Sequence, residues 1–249
     1  MAERLYRTES IVLRRSDFSE SDRLILLATP LGKRRVVAKG VRKTMSRLAG
    51  HVELFTHNTM LLALGRNLDI ITQSQTIHGF SSLRSDLARI SCAYYVADVY
   101  DQFTQEEEEN RPLFELLVQV FDGLNTRNNT DLALRWYELH ILHQTGYRPQ
   151  LHYCAVCQEA LTEEANRFSP TIGGVLCPRD AQADRTALPM GNACFRLLRY
   201  LQSQPLEIVD TMTISATVRA EAERLLRTYV RYIIERDLKS VTFLNSLRT

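Results

Sequence analysis

The first 80 residues contain five short segments rich in Val, Ile, Leu or Thr, and no helix-like spacing links them. Turn signals at residues 30–32 (Pro-Leu-Gly) and 65–67 (Gly-Arg-Asn) help to separate the segments. Parallel strands would need crossover helices between them, so this pattern favours a small closed barrel. An OB-type barrel is the commonest such fold, and the periodicity leaves an SH3-like barrel open as the alternative. The predicted strands span residues 10–15, 23–29, 34–39, 52–64 and 69–77.

After Phe80 the hydrophobic period becomes one that is typical of helices. The predicted helices span residues 81–103, 111–124, 131–145, 191–204 and 216–237, and the last begins at a cap formed by Ser215 or Thr213. A short insert at about residues 150–188 interrupts this pattern. The sequence therefore predicts an α+β protein. Its N-terminal five-stranded OB-type β-barrel occupies residues 1–80, and an all-helical domain with a zinc-ribbon-like insert occupies residues 81–249.

Four consecutive glutamates at residues 106–109 precede the helix predicted over residues 111–124. Acidic side chains complement the positive end of a helix dipole, which favours a solvated helix start. The alternative interpretation is an acidic docking patch.

The net charge of +2 conceals an uneven distribution. Residues 1–80 carry 13 Lys and Arg against 7 Asp and Glu, whereas residues 81–249 carry 18 against 22. Seven of the cations fall within residues 33–47, a segment without any acid, and an uncompensated basic surface of this kind can follow a phosphate backbone. The alternative is a solvated strand and loop. The candidate DNA-binding residues are Lys33, Arg34, Arg35, Lys39, Arg42, Lys43 and Arg47.

Four aromatic residues occur in this basic N-terminal region: Tyr6, Phe18, Phe55 and Phe80. Proteins that bind single strands tightly stack several bases on aromatic rings, and Phe55 and Phe80 are expected in the core instead. The sequence therefore predicts that contacts to the DNA backbone dominate, with tolerance for both single and double strands.

The spacing of three cysteines is typical of a zinc ribbon. Cys154 and Cys157 form a CxxC pair, and Cys177 follows after nineteen residues, at the start of the second half of such a site. Asp180 stands where a second CxxC would end, and His152 is a possible substitute as the fourth ligand. We predict a structural zinc ion, and a ribbon that has lost its metal is the main alternative. Cys92 and Cys194 fall in predicted helices and are expected to be small buried residues.

The common catalytic motifs are missing from the sequence. It contains no phosphate-binding loop, no dinucleotide fingerprint, no nucleophile elbow and no HExxH helix. Residues 51–53 (His-Val-Glu) superficially supply half of a deaminase signature, but they lie about a hundred residues before Cys154, which follows Tyr153 and not a proline. The sequence therefore gives no support for an enzyme.

The N-terminus is charged within its first four residues and lacks an apolar segment, so we expect no secretory signal. The sequence also predicts no membrane contact, because no apolar run approaches the ~18–20 residues that span a bilayer. Five cysteines are too few, and an odd number, for a disulfide framework, and a metal site needs reduced thiols. These features favour a cytosolic protein.

Several segments resemble the RecO family of recombination mediators. In the N-terminal region these are residues 11–15, 18–24 (Phe-Ser-Glu-Ser-Asp-Arg-Leu), 29–33, 37–42 (Val-Ala-Lys-Gly-Val-Arg) and 46–48. Further on, residues 134–139 and 146–149 look like the signature of the family's helical domain, and the CxxC…C segment follows as in members that bear zinc. One departure is Asp180, where those members usually have a fourth cysteine.

The resemblance implies a non-enzymatic role in bacterial DNA repair, in the cytoplasm at the nucleoid. Members of the family bind single- and double-stranded DNA, anneal complementary strands, and work with RecR to help RecA replace single-strand-binding protein. The acidic tail of single-strand-binding protein would bind the helical domain, where Arg135 lies in the matching segment. For Arg135 the alternative is an ordinary exposed helix charge.

Two other hypotheses remain at this stage. One is a protein–protein adaptor that has a structural zinc and makes no direct contact with DNA. The other is a zinc-dependent enzyme, which would lose activity on chelation while its fold stays intact.

Overall fold

The computed structural model describes residues 5–246. The chain forms two compact units, Met1–Thr126 and Arg127–Thr249. The first unit contains the barrel and three helices, and the second contains the remaining helices and a small sheet. The mixed α+β class is therefore confirmed. Within the described range, no helix combines the length and hydropathy that a membrane span requires.

Five strands form a closed barrel in the order β1-β2-β3-β5-β4. The N-terminal half of β1 pairs with β4 and its C-terminal half pairs with β2, and this double pairing closes the barrel. The strand order confirms the OB-type prediction over the SH3-like alternative. Its interior is filled by Val12, Ile25, Leu27, Val36, Met60 and Leu62. The strands are β1 (Leu5–Asp17), β2 (Arg23–Ala28), β3 (Arg34–Ala38), β4 (His57–Ala63) and β5 (Asp69–His78).

The fourth strand starts later than its hydrophobic pattern predicts. Residues 49–51 form a short 3₁₀ turn, and Phe55 has a left-handed backbone with φ of 63°. Its ring is fully buried and lies edge-on to Tyr94 and Phe121, at centroid distances of 4.9 and 5.5 Å. The packing of this ring on the following helices accounts for the break in the strand, and no local pattern reveals it.

Three helices complete the first unit: α1 (Ser81–Ser85), α2 (Leu87–Phe103) and α3 (Arg111–Thr126). The single helix predicted over residues 81–103 is divided at Asp86. The carboxylate of Asp86 accepts a hydrogen bond from the Arg89 amide at 2.9 Å and so caps α2. The amphipathic helix predicted from residue 111 is confirmed, and it buries Leu113, Leu117 and Val120.

The second unit is helical apart from its insert. Asn129 caps α4, and Ser215 caps α6 through a hydrogen bond of 3.3 Å from the Val218 amide, so Ser215 is the cap and not Thr213. Three short strands in the order β7-β6-β8 lie within or beside the predicted insert. The elements are α4 (Thr130–Gln144), β6 (Arg167–Ser169), β7 (Gly174–Leu176), β8 (Leu188–Pro189), α5 (Asn192–Ser203), α6 (Ala216–Ile234) and α7 (Lys239–Ser246). The sequence pattern predicted neither the small sheet nor α7.

Candidate functional site

Lys33, the first residue of the basic segment, is buried. Only 7% of its surface is exposed, and its Nζ lies 2.6 Å from both a carboxylate oxygen and the backbone oxygen of Asp101 on α2. The ion pair compensates the burial of this charge. Lys33 therefore offers no exposed charge to a phosphate in this structure.

The next two cations are paired with the four-glutamate run. Arg34 lies 3.0 Å from Glu107, and Arg35 lies 2.8 Å from Glu106. We call residues 104–110, which connect α2 to α3, the acidic strap. The interpretation of the run as only a solvated helix start is therefore incomplete, because two of its glutamates bind the barrel. The paired acids follow Arg34 and Arg35 by more than 70 residues, so the local charge pattern could not reveal them.

Backbone contacts hold the acidic strap against the turn before β3. The Glu107 amide donates to the Lys33 carbonyl at 3.0 Å, and the Asn110 amide donates to the Pro30 carbonyl at 3.2 Å. Gly32 has a φ of +94°, and a side chain there would lie 2.6 Å from the backbone of Glu108. Glycine at this position is thus required both by the turn and by the close approach of the strap.

The remaining four cations lie after β3 in residues 39–47, which we call the basic loop. Lys39, Lys43 and Arg47 are exposed, and none of them forms an ion pair with another described residue. Arg42 is partly exposed and lies 3.4 Å from Asp17. The structure thus separates the predicted set into three cations at the start of β3, which pair with Asp101 or the acidic strap, and four cations after its end.

Hydrogen bonds fasten the basic loop to the loop of residues 18–22, which joins β1 to β2. The Asp22 carboxylate accepts from the Gly40 amide at 2.8 Å, and this bond is the main reason that the pKa of Asp22 is lowered. Arg42 donates to two carbonyls, from its amide to Ser21 at 3.0 Å and from its guanidinium to Ser19 at 2.9 Å. Hydrogen bonds therefore join the Glu-Ser-Asp segment at residues 20–22 to the Ala-Lys-Gly-x-Arg segment at residues 38–42.

The aromatic residues divide between core and surface. Phe55 and Phe80 are buried, at 0% and 4% exposure, as the sequence predicted. Tyr6 is half-buried and donates to Asp69 at 2.6 Å. Phe18 differs from these three, because 54% of its surface is exposed.

The second candidate site is a compact cluster of Cys154, Cys157, Cys177 and Asp180, whose ligand atoms all lie within 4.8 Å of one another. The Asp180 carboxylate lies 3.1 Å from the Cys154 sulfur and 3.3 Å from the Cys177 sulfur. The Cys157 and Cys177 sulfurs are 3.9 Å apart, close to the ~3.8 Å that tetrahedral zinc with Zn–S bonds of about 2.3 Å would give. The cluster could hold a metal ion.

Local structure explains how these ligands converge. Cys177 follows β7, and Asp180 ends a short 3₁₀ turn that begins at Pro178. Gly174 permits this packing, since a side chain there would lie 2.8 Å from Gln150. Hydrogen bonds from the thiols, that of Cys157 first, lower the pKa of Asp180 to about 2.

The other candidate ligands lie elsewhere. His152 is outside the cluster, and its Nδ1 is 3.1 Å from the guanidinium of Arg199. Cys92 and Cys194 are buried, as predicted, and burial raises the pKa of the Cys194 thiol to about 12. Arg179, which no motif in the sequence marks, also lies at this cluster: its guanidinium is 3.7 Å from the Cys157 sulfur and adds a positive charge beside the thiols.

Arg135, the predicted partner-binding residue, is 1% exposed. Its guanidinium lies 2.6 Å from Glu138, which is also buried, and 3.8 Å from Glu223 on α6. The alternative of an ordinary exposed helix charge is wrong. Arg135 presents almost no surface to a partner here, and its partner-binding role stays a prediction.

Comparisons with known proteins agree across nearly the whole chain. The family model described as "Recombination protein O N terminal" matches residues 1–80, and "Recombination protein O C terminal" matches residues 84–242. The DNA repair protein RecO of Roseiflexus sp. (strain RS-1) is 56% identical over 248 residues, which cover 100% of this chain and 88% of that protein. The RecO proteins of Dehalococcoides mccartyi (strain ATCC BAA-2266) and Desulforudis audaxviator are each 35% identical over 97% of this chain, and over 96% and 97% of their own lengths. The chain belongs to the RecO family of DNA repair proteins.

Proposed function

We propose that this protein is a non-enzymatic recombination mediator that binds single- and double-stranded DNA and anneals complementary strands. Together with RecR it would help RecA to load on DNA that is coated by single-strand-binding protein, in the cytoplasm at the nucleoid. The observation that carries the proposal is the basic loop, where Lys39, Arg42, Lys43 and Arg47 lie on an OB-type barrel of a DNA repair family.

The proposed mechanism is electrostatic. Cations of the basic loop neutralise phosphates and release condensed counterions, which favours binding at low salt. Two DNA strands repel each other through their phosphates, so neutralisation on a shared surface lets them approach and pair. Lys33 takes a positioning role in this proposal, because its ammonium group is committed to Asp101.

Reversing two charges of the basic loop should weaken DNA binding. Arg42 is unsuitable because it also fastens the loop to Ser19 and Ser21, so the variant is Lys39→Glu/Lys43→Glu. We expect at least a tenfold loss of affinity for a single-stranded oligonucleotide. The slope of log K against log salt should become less steep by about 1.4, from two lost phosphate contacts.

Arg185→Glu/Arg236→Glu makes the matched control, because it changes the net charge equally at two exposed arginines of the second unit. Filter binding across a salt series measures both variants. A salt-independent affinity of the wild-type protein would favour the adaptor hypothesis, and equal losses in the two variants would show that only net charge matters.

Removing the charges of the acidic strap should have the opposite effect on DNA affinity. Glu106→Gln/Glu107→Gln frees Arg35 and Arg34 from their ion pairs, so we expect tighter DNA binding by several-fold and a steeper salt slope. Glu108→Gln/Glu109→Gln removes the same charge from the same strap without breaking an ion pair between described residues. Equal affinities for the two variants would contradict a role of the ion pairs.

We propose zinc as the metal of the cysteine cluster, held by Cys154, Cys157, Cys177 and Asp180. Three thiolates and a carboxylate would fill all four positions of a tetrahedral ion, which is the closed arrangement of a structural site. Such an ion would cross-link the insert, because it would join the CxxC turn to the segment after β7.

For the acidic tail of single-strand-binding protein, we propose a surface of the second unit near the start of α6. A cavity of about 440 Å³ there is lined by Leu197, Tyr200, Met212 and Val218. Arg196 also lines it and is ion-paired with Glu163, for which a carboxylate of the tail would substitute.

A further inference from the structure

Phe18 is the exposed ring of the barrel. The other aromatic residues of its described part, Tyr6, Phe55 and Phe80, are half-buried or buried, whereas Phe18 is 54% exposed. Single exposed apolar side chains are common on protein surfaces and need no explanation by themselves. The surroundings of Phe18 distinguish it from such a case.

The loop that carries Phe18 is held by its own hydrogen bonds. The amides of Phe18 and Ser19 both donate to the Asp22 carbonyl, at 3.1 and 3.4 Å. The Asp22 amide donates back to the Ser19 hydroxyl at 3.1 Å. Little conformational freedom of the backbone would therefore be lost when a ligand contacts the ring.

The basic loop contacts this segment on both sides of Phe18. The guanidinium of Arg42 lies 3.4 Å from the carboxylate of Asp17 and donates to the carbonyl of Ser19 at 2.9 Å. The exposed residue thus lies between two residues that contact Arg42 of the basic loop. An aromatic ring beside phosphate-binding cations is the arrangement that proteins use to bind unpaired bases.

We propose that Phe18 stacks on an unpaired base of single-stranded DNA whose phosphates contact the basic loop. This inference rests on the proposed DNA binding and deepens it, because it makes Phe18 a determinant of strand preference. Duplex bases already stack on their neighbours and present only their edges to the protein. Phe18 therefore contributes to binding of single strands and not of duplexes.

Phe18→Ala tests the inference on the full-length protein. We expect its affinity for a single-stranded oligonucleotide to fall about fivefold or more, while affinity for the duplex of the same sequence stays within twofold. Leu64→Ala is the matched control, because Leu64 is 52% exposed and lies far from Phe18 along β1. Its neighbour Ala63 pairs with Leu5 at the start of β1, whereas Phe18 follows the end of that strand. This control should bind both DNAs as the wild type does.

An abasic oligonucleotide separates stacking from backbone contacts. It keeps the phosphates and lacks the bases, so the wild type and Phe18→Ala should bind it equally. Phe18→Trp should retain the affinity of the wild type, and its added fluorescence should be quenched by the single strand but not by the duplex.

The two proposals fail in different ways. Wild-type protein that binds no DNA would overturn both of them. Salt-dependent DNA binding that Phe18→Ala leaves unchanged, or weakens equally for single strand, duplex and abasic strand, would overturn only the stacking role.

Discussion

Chelation of the proposed zinc should unfold residues 150–188 and leave the first unit folded. The regular structure of the insert is limited to a short 3₁₀ turn and three short strands, the last of which ends at Pro189, so the metal would be its main cross-link. Binding of a structural zinc ion contributes on the order of 10 kcal/mol to the folding of a small domain. We expect rapid proteolysis within the insert after chelation, measured by mass spectrometry of the fragments, while the barrel peptides stay protected.

Single substitutions make this expectation specific. Cys177→Ser should abolish stoichiometric zinc in elemental analysis, whereas Asp180→Cys should retain one ion per chain and bind it more tightly. Glu164→Gln changes an exposed acid of the insert outside the cluster, and it should retain the ion. Zinc-free purified protein that resists protease equally with and without chelator would refute the metal site.

Glu138→Gln should cost the second unit about 3–5 kcal/mol of unfolding free energy. The substitution removes the carboxylate charge that lies 2.6 Å from the Arg135 guanidinium, whereas Glu223 lies 3.8 Å from it. A buried cation that loses its nearest countercharge is strongly unfavourable. Urea unfolding, followed by the fluorescence of Trp136 on the same helix, measures the loss.

Replacing both Arg135 and Glu138 separates two quantities. One is the unfolding free energy lost when a single charge stays buried without its partner, and the other is the net contribution of the ion pair. Arg135→Met/Glu138→Leu should be far more stable than the sum of its single variants predicts, because it removes both charges of the buried pair together. The exposed pair of Arg111 and Glu115 provides the contrast, and its removal should change stability by less than about 1 kcal/mol. If the double variant lost as much unfolding free energy as the two single variants together, the proposed cost of the unpaired charge would be contradicted.

Local patterns were sufficient to predict the elements that local chemistry determines. Segments rich in Val, Ile, Leu or Thr predicted the five barrel strands, and helix periodicity with capping residues such as Ser215 predicted most of the helices. The spacing of Cys154, Cys157 and Cys177 predicted a cluster that the structure brings together, including Asp180. In each case the decisive residues are close in sequence or recur at a fixed spacing.

Interactions between distant residues account for the features that were missed. Phe55 leaves the strand pattern because its ring packs on α2 and α3, and Lys33 is buried because Asp101 lies on α2. The burial of Arg135 could have been predicted from the sequence of α4. This helix carries apolar residues on nearly all sides, which is typical of an enclosed helix, and Glu138 lies one turn after Arg135.

The contacts of α2 and α3 with the barrel also bear on how the protein can be divided or recombined. The N-terminal family model ends at residue 80, but the carboxylate that neutralises Lys33 and the rings that enclose Phe55 come from residues 94–121. A chimaera joined at residue 80 would combine the barrel of one relative with the helices of another. Exchange of this portion between relatives should therefore carry the chain through Thr126, so that Lys33 keeps Asp101 and Phe55 keeps Tyr94 and Phe121.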